Sequence, residues 1–534
     1  MINDLLPDVL SSGTAVCVYC HFVRMNHFPA PLSLPDAQRL AAIRRGVEKE
    51  GLRALENGAL ALTPHPTPLG SALTHPHITT DFSESQLELI TGAPRDVEAC
   101  LQELRRVHQF VHRTLAAQSA PEVMWNSSMP CHLPTDETIP LGRYGSSHSG
   151  RSKSIYRMGL GHRYGRRMQT ISGIHYNWSM PGVDSDAYFG LIRNFRRHAF
   201  VLLYLFGASP ALSACFVEGR QHQLQPMGSE SKTLYLPHAT SLRMGRLGYQ
   251  SDAQASIHVS YNGLDGYASS LYDALTRPYP AYQLVGVRNP GGDYNQLGTS
   301  LLQIENEFYG TIRPKRTVRS GERPLHALRE RGVEYVEVRL MDIDPYQDVG
   351  IDSATMRMLD VFLLHCLLTD SPPDSPQEIT ELKHNQHMAA EQGRAPGLRL
   401  LRAGKEVEML AWADEVLAAC EPLAQALDRV HGTQDYSAAL AQSKAKVQDS
   451  SLTPSARVLQ DMASNFGSNY NAFALSRSQW ARDALLDLPW ASEDEAQFLA
   501  WAEESVQAQK AIEAADVGSF EDWRQHYMAP QQLG

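Results

Sequence analysis

Val333-Glu334-Tyr335-Val336-Glu337-Val338-Arg339 changes character at every residue, so an extended chain turns Tyr335, Glu337 and Arg339 to one side and Glu334, Val336 and Val338 to the other. A charged row inside a β-branched strand needs a reason, because isolated charges avoid apolar surroundings. Just upstream, Gln303-Ile304-Glu305-Asn306-Glu307-Phe308-Tyr309 reads as another alternating strand. The basic run that follows, Arg313-Pro314-Lys315-Arg316 with Arg319, suits phosphate oxygens and a solvated loop equally, and Pro314 marks a strand end.

Further out lie three more segments of the same kind. Ile174-His175-Tyr176-Asn177-Trp178 is a strand by propensity, with His175 and Asn177 on one face; a hydrogen-bonded core histidine is the plain alternative. In His77–Thr91, HITTDFSESQLELIT, Asp81 and Glu88 stand among β-forming residues, and alternation leaves Glu88 inside or outside. Glu48-Lys49-Glu50 precedes an Asn57-Gly58 turn and reads as a strand whose two carboxylates share a face about 6.6 Å apart. Their repulsion is about 2.5 kcal/mol at an effective dielectric of about 20, which a solvated edge tolerates and a cation relieves.

Between Val47 and Leu340 such runs alternate with turn signals (Asn262-Gly263, Pro290-Gly291-Gly292) and with helical stretches Val97–Leu115 and Asp186–Leu205, a mixture that predicts an α+β domain on an antiparallel sheet. Asp36 caps a short helix expected to reach Arg45. From Ile351 the spacing becomes helical, with Met356, Leu359, Phe362, Leu363 and Cys366 on one side. Helix-forming composition continues through Glu406–Val430, Ala438–Val447 and Glu493–Ala515.

The 534 residues are 43% hydrophobic and 20% charged, with net charge −11 and no long Lys/Arg run, which argues against a nucleic-acid partner. The most apolar stretches, Phe200–Phe206 and Val361–Leu368, are far short of the ~20 residues that span a bilayer, so no membrane segment is expected. The start, MINDLLPDVLSS, lacks the basic region of a secretory signal, and seven scattered cysteines suit reduced thiols in a cytoplasm. Cys17-Val18-Tyr19-Cys20-His21 has the spacing of haem attachment but no export signal, and a zinc site there would need further ligands, with His27 a weak candidate. The plain reading is a loose N-terminal extension. No GxxxxGK[ST] loop occurs and Gly291-Gly292 reads as a turn, so an ATP site here would hold phosphates through side chains and metal ions.

Taken in order, GVEKE with GLR (Gly46–Arg53), LGSALTH and ITTDF (Leu69–Phe82), ELIT (Glu88–Thr91), SMPC (Ser128–Cys131), QTISGIHYN (Gln169–Asn177), YLFGASPA (Tyr204–Ala211), YLPHATSLR (Tyr235–Arg243), LQIENEFY with IRPKR (Leu302–Arg316) and EYVEVR (Glu334–Arg339) resemble the proteobacterial glutamate–cysteine ligase family, within the glutamine-synthetase-like carboxylate–amine ligases. The resemblance implies an extension over 1–35, a catalytic domain over 36–380 with a curved antiparallel sheet flanked by helices, and a mostly helical part over 381–534. It implies magnesium, with manganese as a substitute, held by Glu48, Glu50, Asp81, Glu88, His175 and Glu337, and ATP as co-substrate. Glu337 and Arg339 would be catalytic; Arg157, Tyr156, Asn177, Arg243, Tyr249, Tyr309 and Phe82 would bind substrates. At Met158 the chain departs from the family pattern, which has an acidic residue there. The implied reaction joins glutamate to cysteine in a monomeric cytoplasmic enzyme. Rival expectations are another amine acceptor, a catalytically silent amino-acid sensor, and a metal-dependent nuclease, the last disfavoured by the net charge.

Overall fold

Twelve consecutive residues, Arg44–Leu55, form the longest strand, β1, in a computed structural model that describes residues 34–229, 232–248, 253, 257–319 and 321–534. Tyr249, residues 1–33 and the Cys17/Cys20/His21 pattern lie outside the described residues. Along the chain follow β2 (Ile78–Thr80), β3 (Gln86–Ile90), β4 (Glu122–Met124) and β5 (Ile174–Ser179). A separate three-stranded sheet holds β6 (Ala211–Ser213), β7 (Gln225–Pro226) and β8 (Thr233–Tyr235). The chain then returns to the first sheet with β9 (Ile312–Lys315) and β10 (Tyr335–Met341), and β11 (Arg399–Arg402) pairs with β12 (Lys405–Glu408) in a hairpin.

The main sheet is antiparallel in the order β2-β3-β1-β5-β10-β9, with β4 on the far end of β1. Its register puts Glu48 opposite His175, Glu50 opposite Glu88, and Glu337 opposite Asn177 and Arg313. Because the side-chain period is two, these residues together with Arg339 and Lys315 share one face. Val47, Tyr176, Val338 and Ile312 share the other, fully buried face. Helices α2 (Val97–Ala116) and α4 (Ser185–Phe206) cover that apolar side, as does the helix Ser353–Leu368, whose Asp360 accepts the Tyr176 hydroxyl at 2.8 Å.

Asp36 does cap the first helix, α1 (Ala37–Ala41), accepting the Arg39 N–H at 2.8 Å, but the helix stops there rather than at Arg45. Extended backbone is required from Arg44 onward to pair with β5, and it drops Arg45 beneath the sheet, 3.0 Å from Asp360. Gln303–Tyr309 is not a strand: Glu305–Glu307 is a 3-10 turn that points both carboxylates inward to Arg323 and Arg163 at 2.8 Å each. Nor does Pro314 end a strand. It lies within β9 opposite Val336, at the sheet edge, where a missing N–H costs no ladder bond.

A third helix, α3 (His148–Tyr164), crosses the charged face of the sheet, its N-terminus capped by Ser147. The later helices fall within a few residues of their predicted spans: Met409–His431, Asp435–Gln448 and Ser492–Ala515. Residues Leu34–Gly534 pack as one unit, and the helix Pro376–Gln392 runs through residue 380.

Candidate active site

The charged face of the sheet floors a cavity of about 480 Å³, roofed by α3 and closed at its rim by loops and the C-terminal helix. All six residues expected to ligate metal line it: Glu48 and Glu50 from β1, Asp81 just after β2, Glu88 from β3, His175 from β5 and Glu337 from β10. The imidazole is the hub. His175 Nδ1 lies 3.2 Å from Glu48, 3.8 Å from Glu337 and 3.9 Å from Glu88, while Nε2 lies 3.5 Å from Glu50.

These carboxyls divide by their neighbours. Burial pushes Glu88 well above the usual carboxylate range, and Glu48, Asp81 and Glu50 add to the push. Glu50 is raised too, first by burial and then by Asp81. Burial also opposes charge on Glu337, yet Lys315 and Arg339, each 3.3 Å away, hold it well below the usual range with help from His175 and Arg313. At Glu48 burial is the largest effect and pushes upward with Glu337, but the His175 hydrogen bond and the charges of His175 and Lys315 together hold the carboxyl below its usual range. One floor thus carries both strained acids and firmly ionised ones, a set that a divalent cation would satisfy. Oxygen donors with one imidazole suit magnesium or manganese, and the buried Oε2 of Glu337 accepts no hydrogen bond.

The expected substrate-binding residues fall into three groups. Tyr156, Arg157, Phe82 and Tyr309 line the same cavity. Phe82 is fully buried against Tyr156, Leu160 and Leu297, so it shapes the wall as core packing does. Arg157 donates to the Asp81 carbonyl and stacks 4.5 Å over Tyr144, fixing the loop that carries Asp81. Tyr309 donates to Gln169 Oε1 at 2.9 Å. Arg243 lies in an adjoining cavity that shares Tyr309 and Arg339 with the first; it donates to the Arg339 carbonyl at 2.7 Å and faces Asp342 at 3.6 Å. Asn177 donates to Glu48 Oε1 at 2.8 Å, so its amide orients that carboxylate.

Three further cations stand at the site, two from the basic run that begins at Arg313 and one, Lys153, outside every expected motif. Arg313 and Lys315, two apart on β9, flank Glu337 at 4.0 and 3.3 Å. Their period-two spacing was visible, but Pro314 between them read as a stop. Lys153 of α3 also lines the cavity, its ammonium pushed down to about 8 by burial and Arg157; nothing in its helical surroundings announced it.

The family profile described as glutamate-cysteine ligase matches residues 32–389. A glutamate–cysteine ligase of Azotobacter vinelandii is 47% identical over 508 residues, 91% of this chain and 94% of that one. That of Alcanivorax borkumensis is 44% identical over 520 residues, covering 93% and 98%. A crystal structure of glutamate–cysteine ligase from Francisella tularensis in complex with AMP superposes with TM-score 0.85 at 36% identity, covering 91% of this chain and 97% of that chain.

Proposed function

Since the chain belongs to the glutamate–cysteine ligase family, ATP-dependent ligases of the first step in glutathione biosynthesis, we propose that its acidic cavity joins the γ-carboxylate of glutamate to the amine of cysteine through γ-glutamyl phosphate. A carboxylate does not expel oxide at neutral pH, so it needs a better leaving group, and the γ-phosphoryl of ATP provides one. The observation that carries this reading is the convergence of five carboxylates and one imidazole, from four strands and one loop, on a single cavity beside Arg339.

Glu48, Glu50, Asp81, Glu88, His175 and Glu337 would hold magnesium, or manganese in its place. Bound there, the ions would screen the triphosphate and the charge developing in phosphoryl transfer. The protein's own groups do the rest. Lys315 and Arg313 present cations to phosphate oxygens from the β9 side. Arg339, 3.3 Å from Glu337 and 3.4 Å from His175, offers a planar fork to the oxyanion formed when the cysteine amine attacks. Arg243 and Asn177 would contact the amino acids, with Tyr156, Tyr309 and Phe82 walling their pocket. Holding both amino acids in one cavity makes the attack effectively unimolecular.

Among the described residues no helix is long and apolar enough to cross a membrane, and the five described cysteines are free thiols. A monomeric cytoplasmic enzyme fits this reading. Glu48→Gln and Glu337→Gln should each reduce phosphate release with glutamate and cysteine by at least about 10²-fold, with unchanged circular dichroism. Near-normal turnover in both variants would remove the metal assignment.

A further inference from the structure

Glu381 is 8% exposed and, among the described residues, has no ion pair. It sits on the helix Pro376–Gln392, where its carboxylate accepts the Gln377 amide at 2.9 Å and the Gly404 N–H at 3.2 Å. A buried carboxylate is unfavourable until a cation meets it. Glu381 lines a cavity of about 520 Å³ between α4, the helix Pro376–Gln392, the β11–β12 hairpin and the helix Met409–His431. That size is ordinary for a small-molecule site, and no lining residue is shared with the catalytic cavity.

The same cavity holds unpaired donors. Trp412 is 5% exposed, and its Nε1–H, which can only donate, finds no acceptor among the described residues. The His198 ring, 6.2 Å away, leaves Nδ1 without a partner, as does Nε2 of His365, stacked on His198 at 5.6 Å. Burial pushes His198 down to about 3 and His365 to about 4, so both rings are neutral near pH 7 and each carries one N–H. Arg402 lies 5.0 Å over Trp412 and pairs with Glu415 on the solvent side at 2.6 Å. Arg197, the other cation in the wall, is fully engaged by Glu378 at 2.6 and 3.0 Å and by Asn194 at 3.1 Å, so it does not serve Glu381. One tight turn links the acid to the indole: Gly404 holds Glu381, and Arg402, two residues earlier, covers Trp412.

We propose that this cavity is a second small-molecule site, for a free α-amino acid with an apolar side chain. Glu381 receives the ammonium, Trp412 Nε1 and His198 donate to the carboxylate, and Pro372, Leu382 and Leu401 enclose the side chain. A lone amine would leave the indole and imidazole donors unmet, and a lone carboxylate would face Glu381. Gln386, on the same helix as Glu381, donates to the Met244 carbonyl at 3.1 Å, next to Arg243, and Arg197 and Leu382 line both this cavity and the one that holds Arg243. The site thus neighbours the Arg243 cavity while remaining separate from the catalytic one.

Calorimetry on the full chain with three probes tests this: L-leucine, isoamylamine, which lacks the carboxylate, and isocaproate, which lacks the ammonium. Leucine should bind with a Kd of about 1 mM or tighter, and each analogue at least about tenfold more weakly. Glu381→Gln keeps the shape of the acid and Trp412→Phe keeps an aromatic ring. Each should weaken leucine at least about tenfold and leave the KM values for glutamate and cysteine within about twofold. No leucine binding at about 10 mM would overturn the proposal. So would isoamylamine binding as tightly as leucine, the mark of a plain cation site, or leucine affinity unchanged in both variants, which would put leucine elsewhere on the protein.

Discussion

Asp360→Asn removes one charge beneath the sheet while keeping the shape of the side chain. In the folded protein Asp360 is fully buried on the helix Ser353–Leu368, accepts the Tyr176 hydroxyl at 2.8 Å and faces Arg45 at 3.0 Å. Arg45 is 1% exposed; burial works against its charge, and Asp360, with Tyr176 and Tyr436, outweighs it. The carboxylate thereby clamps β1 and β5, the two strands that carry Glu48 and His175, to the helix below them. Asparagine can still accept from Tyr176, so the loss is the ion pair, and leaving one buried charge uncompensated costs about 3–5 kcal/mol. That is a large share of the about 5–15 kcal/mol that holds a typical domain together. Urea unfolding followed by tryptophan fluorescence should show this loss, while Tyr176→Phe should cost only about 1 kcal/mol. Arg45→Met combined with Asp360→Leu should recover much of it, since no charge is then left unpaired. A loss below about 1 kcal/mol for Asp360→Asn would refute the reasoning.

His365 is buried, stacks 5.6 Å from His198, and is pushed down to about 4 by burial. A ring whose folded value lies below the free imidazole's contributes stability that is complete above pH 6.5 and is lost as the pH falls through 4. His365→Phe should therefore spare about 2–3 kcal/mol of the stability that wild type loses between about pH 7 and pH 4.5; equal losses in both proteins would count against the burial argument. At Gly173, whose N–H donates to Glu50 Oε2 at 2.7 Å, an added Cβ would overlap the Arg243 guanidinium. Gly173→Ala should raise the KM for glutamate by about tenfold, the value of one charge-assisted hydrogen bond, with little change in Tm. An unchanged KM would take Arg243 out of the substrate site.

The floor of the site was legible because it is written with period two. In β1, β5 and β10 the polar face and the apolar face are both essential, so Glu48, Glu50, His175, Asn177 and Glu337 alternate with Val47, Tyr176, Val336 and Val338, and register alone then brings the polar ones together. Where alternation had another cause the reading failed. Glu305 and Glu307 alternate with Asn306, but they do so to reach Arg323 and Arg163, partners 18 and 144 residues away that no local pattern reveals. Arg45 was read into a helix because its true partner, Asp360, is equally remote. That Trp523 and Tyr527 line the cavity was hidden for the same reason: a helical aromatic stripe looks alike whether it faces core or cavity, and only the packing of the helix Phe520–Met528 on α3 and Arg323 decides.

The most direct test of the cation-binding floor is anomalous scattering from crystals grown with Mn²⁺ and ADP. Peaks should appear between the strands, ligated from among Glu48, Glu50, Asp81, Glu88, His175 and Glu337, and should vanish from the affected position in Glu48→Gln. Manganese found only at the other grouping of potential ligands among the described residues, Glu322, His326 and Glu330, with none above the sheet, would contradict it.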